Sequence, residues 1–107
     1  MDVMHIGEST RDGWQVVAVT GRVDGLTAAT LEGALTAAAG QHDRVAVDCS
    51  GIEYISSAGL RALLEGARVA QAANHTFTVC APSPRVKHVF DISRMHLVLH
   101  ITETLPC

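Results

Sequence analysis

The run Ser56-Ser57-Ala58-Gly59-Leu60 lies where a strand-like pattern gives way to a helical one, and its two hydroxyls admit three kinds of chemistry. A serine ahead of a helix can cap it by accepting from a free first-turn amide, an arrangement worth about 1 kcal/mol. A serine can also be a nucleophile, but an esterase elbow needs glycine two residues before and two after it, because the strained turn leaves no room for side chains. Around Ser57 only Gly59 meets that need; Ile55 stands at the other offset, and no histidine is marked out as the base. The third possibility is a phosphate acceptor. At the amino end of a helix a phosphoryl group faces free amides and the positive end of the dipole. From the residues alone, capping and phosphate acceptance are both open.

The remaining reactive side chains form no second centre. No glycine-lysine-serine or glycine-lysine-threonine run provides a Walker loop, and Arg11, Arg44, Arg85 and Lys87 occupy ordinary polar settings that suit solvated surface charges. Cys49, Cys80 and Cys107 are odd in number and lack metal-type spacing, which predicts buried free thiols in a reducing compartment. His96 and His100 would pair on a metal only if the residues between them were helical, and Leu97-Val98-Leu99 reads as strand. No metal and no cofactor is expected.

Composition narrows the partners. The 107 residues carry a net charge of -3 with scattered lysines and arginines, so there is no basic field for direct nucleic acid binding. Trp14, Tyr54, Phe77 and Phe90 are the only aromatic residues, too few for a base-stacking platform. No basic region followed by an apolar run opens the chain, and no window approaches a membrane span, so the expected location is cytoplasmic, without membrane insertion. At 48% hydrophobic content the length suits a single domain, 1–107.

The elements that must position the serines follow from periodicity. Gln15-Val16-Val17-Ala18-Val19, Val45-Ala46-Val47-Asp48-Cys49 (bounded by Ser50-Gly51), Thr76-Phe77-Thr78-Val79-Cys80 and Leu97-Val98-Leu99-His100-Ile101 read as strands, and Val3 to Ile6 as an edge strand. Leu31, Ala34, Leu35 and Ala38, then Leu60, Leu63, Leu64 and Ala67, recur at helical spacing. Ser83-Pro84 predicts the cap and first residue of a third helix, with Val86, Val89 and Phe90 on its apolar side. The result is an α/β chain of order β-β-α-β-α-β-α-β, with a mostly parallel central sheet of about five strands and helices packed on it. Ligands and partners tend to meet the carboxyl ends of such strands.

Three segments resemble the STAS domain of anti-sigma-factor antagonists, and the resemblance spans nearly the whole chain. Thr20-Gly21-Arg22-Val23-Asp24-Gly25-Leu26-Thr27-Ala28 is similar to the family's Gly-x-(Leu/Val)-Asp-x-x-(Thr/Ser)-Ala turn, which implies that Asp24 belongs to a partner-facing surface. The run from Val45 to Leu60 resembles the central strand and its following loop, commonly ending Asp-Ser-(Ser/Ala)-Gly-Leu, which places Ser57 on the phosphorylated serine. Pro82 to Ser93 resembles the last core helix and its turn. Two positions depart from the pattern: Ser56 stands where the best-known antagonists have aspartate, making it the alternative acceptor, and Arg94 stands where glycine often follows the last turn.

The resemblance implies a binding protein and kinase substrate, not an enzyme. Unphosphorylated, such a domain binds an anti-sigma factor that is also a serine kinase; phosphorylation ends the complex, and a PP2C-type phosphatase resets it. Asp24, Ser56, Ser57 and Arg61 are the implied partner-binding residues. A non-phosphorylated STAS scaffold, or a subunit of a lipid-transport ABC complex or other signalling assembly, is the alternative on the same fold.

Overall fold

The computed structural model describes residues 3–105, so the third cysteine, Cys107, lies outside the described residues. Two strands open the chain, β1 (His5–Arg11) and β2 (Trp14–Val23), joined by Asp12-Gly13. Both turn residues have positive φ, 50° and 84°, the backbone of a two-residue hairpin whose twist matches its strands. Then follow α1 (Ala28–Gln41), β3 (Arg44–Ile55), α2 (Ser57–Ala72), β4 (Thr76–Cys80), α3 (Pro84–Ser93), a single 3-10 turn at Met95–Leu97, and β5 (His100–Thr102). The sheet order is β1-β2-β3-β4-β5, antiparallel at the hairpin and parallel across every later pair.

Successive right-handed crossovers between neighbouring parallel strands bring their helices to one face. Accordingly Leu31 and Leu35 of α1, Leu60 and Leu63 of α2, and Val86 and Phe90 of α3 share one core with Val17, Val47 and Val79 of the sheet. Gly66 permits the contact of α2 with its neighbours, since a Cβ there would stand 2.8 Å from the Phe77 ring and 3.1 Å from Leu35 Cβ. The strand residues of opposite phase, Val16, Ala46 and Cys80, form a small second cluster with Trp14, Ala81 and Leu105. Cys49 and Cys80 are both buried.

The strand boundaries differ from the sequence reading in three places. β3 does not stop at Ser50-Gly51 but continues to Ile55, because its register against β2 slips twice: Ala18 pairs Asp48 while Thr20 pairs Gly51, and Gly21 pairs Ile52 while Arg22 pairs Tyr54. Each slip inserts one residue into β3, so its residues in the main core run Val45, Val47, Cys49 and then Ile52 and Ile55, a spacing that alternation does not describe. The edge strand predicted at Val3 to Ile6 begins at His5 and extends to Arg11. Leu97-Val98-Leu99 is not strand: Leu97 closes the 3-10 turn, Leu97 and Val98 are exposed, and only Leu99 enters the core. The cause is Arg94, which ends α3 in the left-handed region at φ 60° and turns the chain before β5 can start.

α3 begins as its sequence predicts. Ser83 Oγ accepts from the Val86 amide at 3.4 Å, Pro84 takes the first helical position, and Val86 and Phe90 are buried.

Candidate functional site

The parallel strands β2 and β3 end side by side, Val23 paired with Ile55. Beyond that pair the amide of Ser56 donates to the Val23 carbonyl at 2.8 Å, which pins the start of α2 to the end of β2. Ser56 is the N-cap: its backbone is extended (φ -92°, ψ 175°), and its Oγ accepts from the Gly59 amide at 3.3 Å. The first turn of α2 then presses onto the strand ends. A Cβ on Gly59 would stand 2.6 Å from Val23 Cγ1 and 2.7 Å from Ile55 Cγ1, so only glycine fits without displacing both side chains.

This arrangement divides the labour between the serines. Ser56 is half-buried and its oxygen is committed to the cap. Ser57, the first helical residue, is exposed, and its hydroxyl makes no hydrogen bond among the described residues. Capping therefore falls to Ser56, and the solvent-facing hydroxyl belongs to Ser57.

Asp24 begins the loop after β2 and folds it. Its Oδ1 accepts from the amides of Leu26 at 2.9 Å and Thr27 at 3.2 Å, and the Thr27 hydroxyl accepts from the Asp24 amide at 2.9 Å while donating to the Arg22 carbonyl at 3.0 Å. The Leu26 amide above all, with the Thr27 amide and hydroxyl and the Arg22 charge, holds the Asp24 carboxyl below the ordinary carboxylate range, against a smaller opposing effect of desolvation. Asp24 is thus a loop organiser as well as a surface charge. Its Oδ2 lies 4.0 Å from Arg22 Nε.

Three further residues complete the rim, and none was singled out from sequence. The Arg22 guanidinium lies over the Tyr54 ring, 4.2 Å from its centroid, within the range of a cation–π contact. Leu26 is 92% exposed, an apolar side chain standing free at the tip of the Asp24 loop, and Tyr54 is 40% exposed. Sequence carried one signal for Leu26, an apolar residue inside a polar turn. It carried none for the stack, which exists only because the second register slip sets Arg22 opposite Tyr54.

Of the residues predicted from sequence, Asp24, Ser56 and Ser57 come together at this rim. Arg61 lies one helical turn beyond Ser57 and is exposed, so it extends the same face of α2. Leu60 and Leu63 point into the core, while Leu64 is half-buried at its margin. Among the described residues no group of three or more histidine, cysteine, aspartate or glutamate side chains is placed to hold a metal, and no helix is long and apolar enough to cross a membrane.

Comparison with known proteins gives concordant matches. The family model described as "Mlab, STAS domain" matches residues 6–100. A Bordetella bronchiseptica protein named as an anti-sigma factor antagonist, BtrV, is 35% identical over 83 residues, covering 77% of this chain and 72% of its own. An anti-sigma factor antagonist from Mycobacterium paratuberculosis superposes with a TM-score of 0.81 at 26% identity, over 95% of this chain and 87% of that one. The Bacillus cell-fate determinant SpoIIAA, in its phosphorylated form, shares the fold with a TM-score of 0.68 at 18% identity, over 92% and 90% of the two chains.

Proposed function

Since this chain belongs to the STAS-domain family, we propose that it is an anti-sigma-factor antagonist whose binding is switched at Ser57. The observation that carries this reading is the separation of roles at the start of α2: Ser56 caps the helix, which leaves Ser57 exposed beside the Asp24 loop. Modifying Ser57 costs no capping bond. The domain can therefore change charge without losing its fold.

In the unphosphorylated state the rim of Asp24, Ser56, Ser57 and Arg61 docks on an anti-sigma factor that is also a serine kinase. A phosphate on Ser57 adds about 1.5 to 2 negative charges at neutral pH, and pressing it against a surface shaped for a hydroxyl adds desolvation and repulsion. A loss of about 2.7 kcal/mol weakens such a complex a hundredfold. A PP2C-type phosphatase restores the binding form. The chain acts as ligand and substrate rather than as enzyme, as a single cytoplasmic domain over 1–107.

Incubation with the cognate kinase and ATP, followed by phosphopeptide mapping, tests the assignment. Phosphate is expected on Ser57, with binding lost in Ser57→Asp and kept in Ser57→Ala. Phosphate elsewhere, together with unchanged binding by Ser57→Asp, would overturn it.

One observation favours a second reading. The matching family description names Mlab, which fits a non-phosphorylated STAS subunit of a lipid-transport ABC complex. Co-purification with an ATP-binding transport subunit, and with no kinase, would replace the switch by that scaffold.

A further inference from the structure

We propose that the cleft between α3 and the open edge of β5 docks an extended peptide segment of a partner protein. The segment it fits carries an apolar side chain with a lysine or arginine two residues away. The site stands apart from Ser57, because β4 separates β5 from the strand that leads to that serine. It does not depend on whether Ser57 is a switch.

β5 is the last strand of the sheet, and among the described residues no strand pairs with its outer side. The Ala81 amide donates to the Thr102 carbonyl at 2.9 Å. In a parallel ladder a residue turns both backbone groups to one neighbour, and the next residue turns its own to the opposite side. Thr102 therefore bonds to β4, and Ile101 directs its N–H and C=O outward. Such an edge is a template for one more strand.

Beside that edge lies a cleft of about 510 Å³, within the size range of ligand pockets. Pro82 and Pro84, with Phe90 of α3 and Ile101 of β5, give it an apolar lining. Alternate side chains of a strand added at Ile101 would face the helix layer. One of them can enter the apolar space, and the residue two positions along, about 6.6 Å away, then meets the rim. β5 is only three residues long, so it offers few backbone bonds. The side chain in the cleft must carry much of the affinity. Leu97 and Val98, immediately before β5, are 67% and 62% exposed and lengthen the apolar surface along the chain.

The rim sets the charge of the occupant. Lys87 Nζ donates to Glu103 Oε1 at 3.0 Å. That bond, then the Glu103 charge, holds the Lys87 ammonium above its ordinary range, and the Asp91 charge acts in the same direction. The Asp91 carboxylate itself has no hydrogen bond or ion pair among the described residues. One lysine thus stands among two carboxylates, and His96 is the other titratable group lining the cleft. The excess negative charge fits a basic side chain. It disfavours a second copy of this chain, since edge-to-edge pairing of two β5 strands would bring Asp91 and Glu103 of both copies to one surface.

Random short peptides displayed on phage are selected on the full chain, and the enriched sequence, synthesised as the probe, is titrated into ¹⁵N-labelled protein. Enrichment of an apolar residue with lysine or arginine two positions along is expected, with large amide shifts at Ile101 and Glu103. N-methylation of the peptide amides one at a time should weaken binding about tenfold at alternate positions, those that face β5, and leave the intervening ones unchanged. This scan needs no protein variant to fold. Asp91→Lys, at an exposed position, should also weaken binding by about tenfold.

No enrichment over an unrelated protein of equal charge, shifts centred on the Ser57 rim, a methylation profile without alternation, or unchanged affinity in Asp91→Lys overturns the proposal. A concentration-dependent dimer in sedimentation that moves the Ile101 amide with no peptide present does so as well, because it assigns the edge to a second copy. None of these results bears on the kinase test of Ser57, and failure of that test leaves the peptide site measurable.

Discussion

The amide of Ser56 donates to the carbonyl of Val23 at 2.8 Å, and this one bond fastens the helix that carries Ser57 to the strand that delivers Asp24. The two sequence segments lie more than thirty residues apart. They become one surface because parallel strands β2 and β3 end at the same level, with Val23 opposite Ile55.

Ser56→Ala should destabilise the fold by about 1 kcal/mol, the usual worth of an N-cap side chain. Ser57→Ala should change stability far less, since its hydroxyl has no partner among the described residues. Urea titration of the two variants beside the unsubstituted protein measures the difference. Equal losses would remove the division of roles between the serines.

Gly59→Ala should be destabilising by about 1 to 3 kcal/mol through overpacking. The added methyl would enter the space held by Val23 and Ile55. The same variant should also weaken partner binding, because relief of the clash tilts the first turn of α2. Calorimetric unfolding gives the first quantity and a pull-down the second.

Asp24 should make stability depend on acid. Its carboxyl is held below the usual range in the folded state, chiefly by the Leu26 amide, so the unfolded chain takes up the proton first as pH falls. The stabilisation is present above the ordinary aspartate value of about 4 and is lost as pH drops through the lower folded value. Asp24→Asn abolishes this titration. The stability gap between the two proteins, read from denaturation midpoints, should therefore be largest near neutrality and shrink in acid.

Cys49 and Cys80 should resist alkylation in the native protein and react once it is unfolded. Burial pushes the Cys49 thiol far above its ordinary range, with the neighbouring Asp48 charge adding to the effect, so the nucleophilic thiolate is scarce as well as inaccessible. Iodoacetamide labelling with and without guanidinium, read by peptide mass spectrometry, checks both residues.

Much of this architecture was legible because local signals and tertiary packing agree. Val45 and Val47 alternate with Ala46, Leu60 and Leu63 recur at helical spacing, and Ser83-Pro84 announces α3. The failures occur where a local rule is interrupted. The second half of β3 was obscured by two register slips, and the apolar run at Leu97 was mistaken for strand because a left-handed Arg94 is not foreseeable from an arginine.

Sequence by itself determined the candidate hydroxyls, the aspartate turn and the order of elements, since capping, glycine spacing and hydrophobic period act over a few residues. Tertiary structure decided which serine is free and what stands beside it. Both outcomes depend on where β2 and β3 terminate relative to each other. The cap on Ser56, the close approach at Gly59 and the pairing of Arg22 with Tyr54 are set by contacts between distant segments, and no window of neighbouring residues encodes that register.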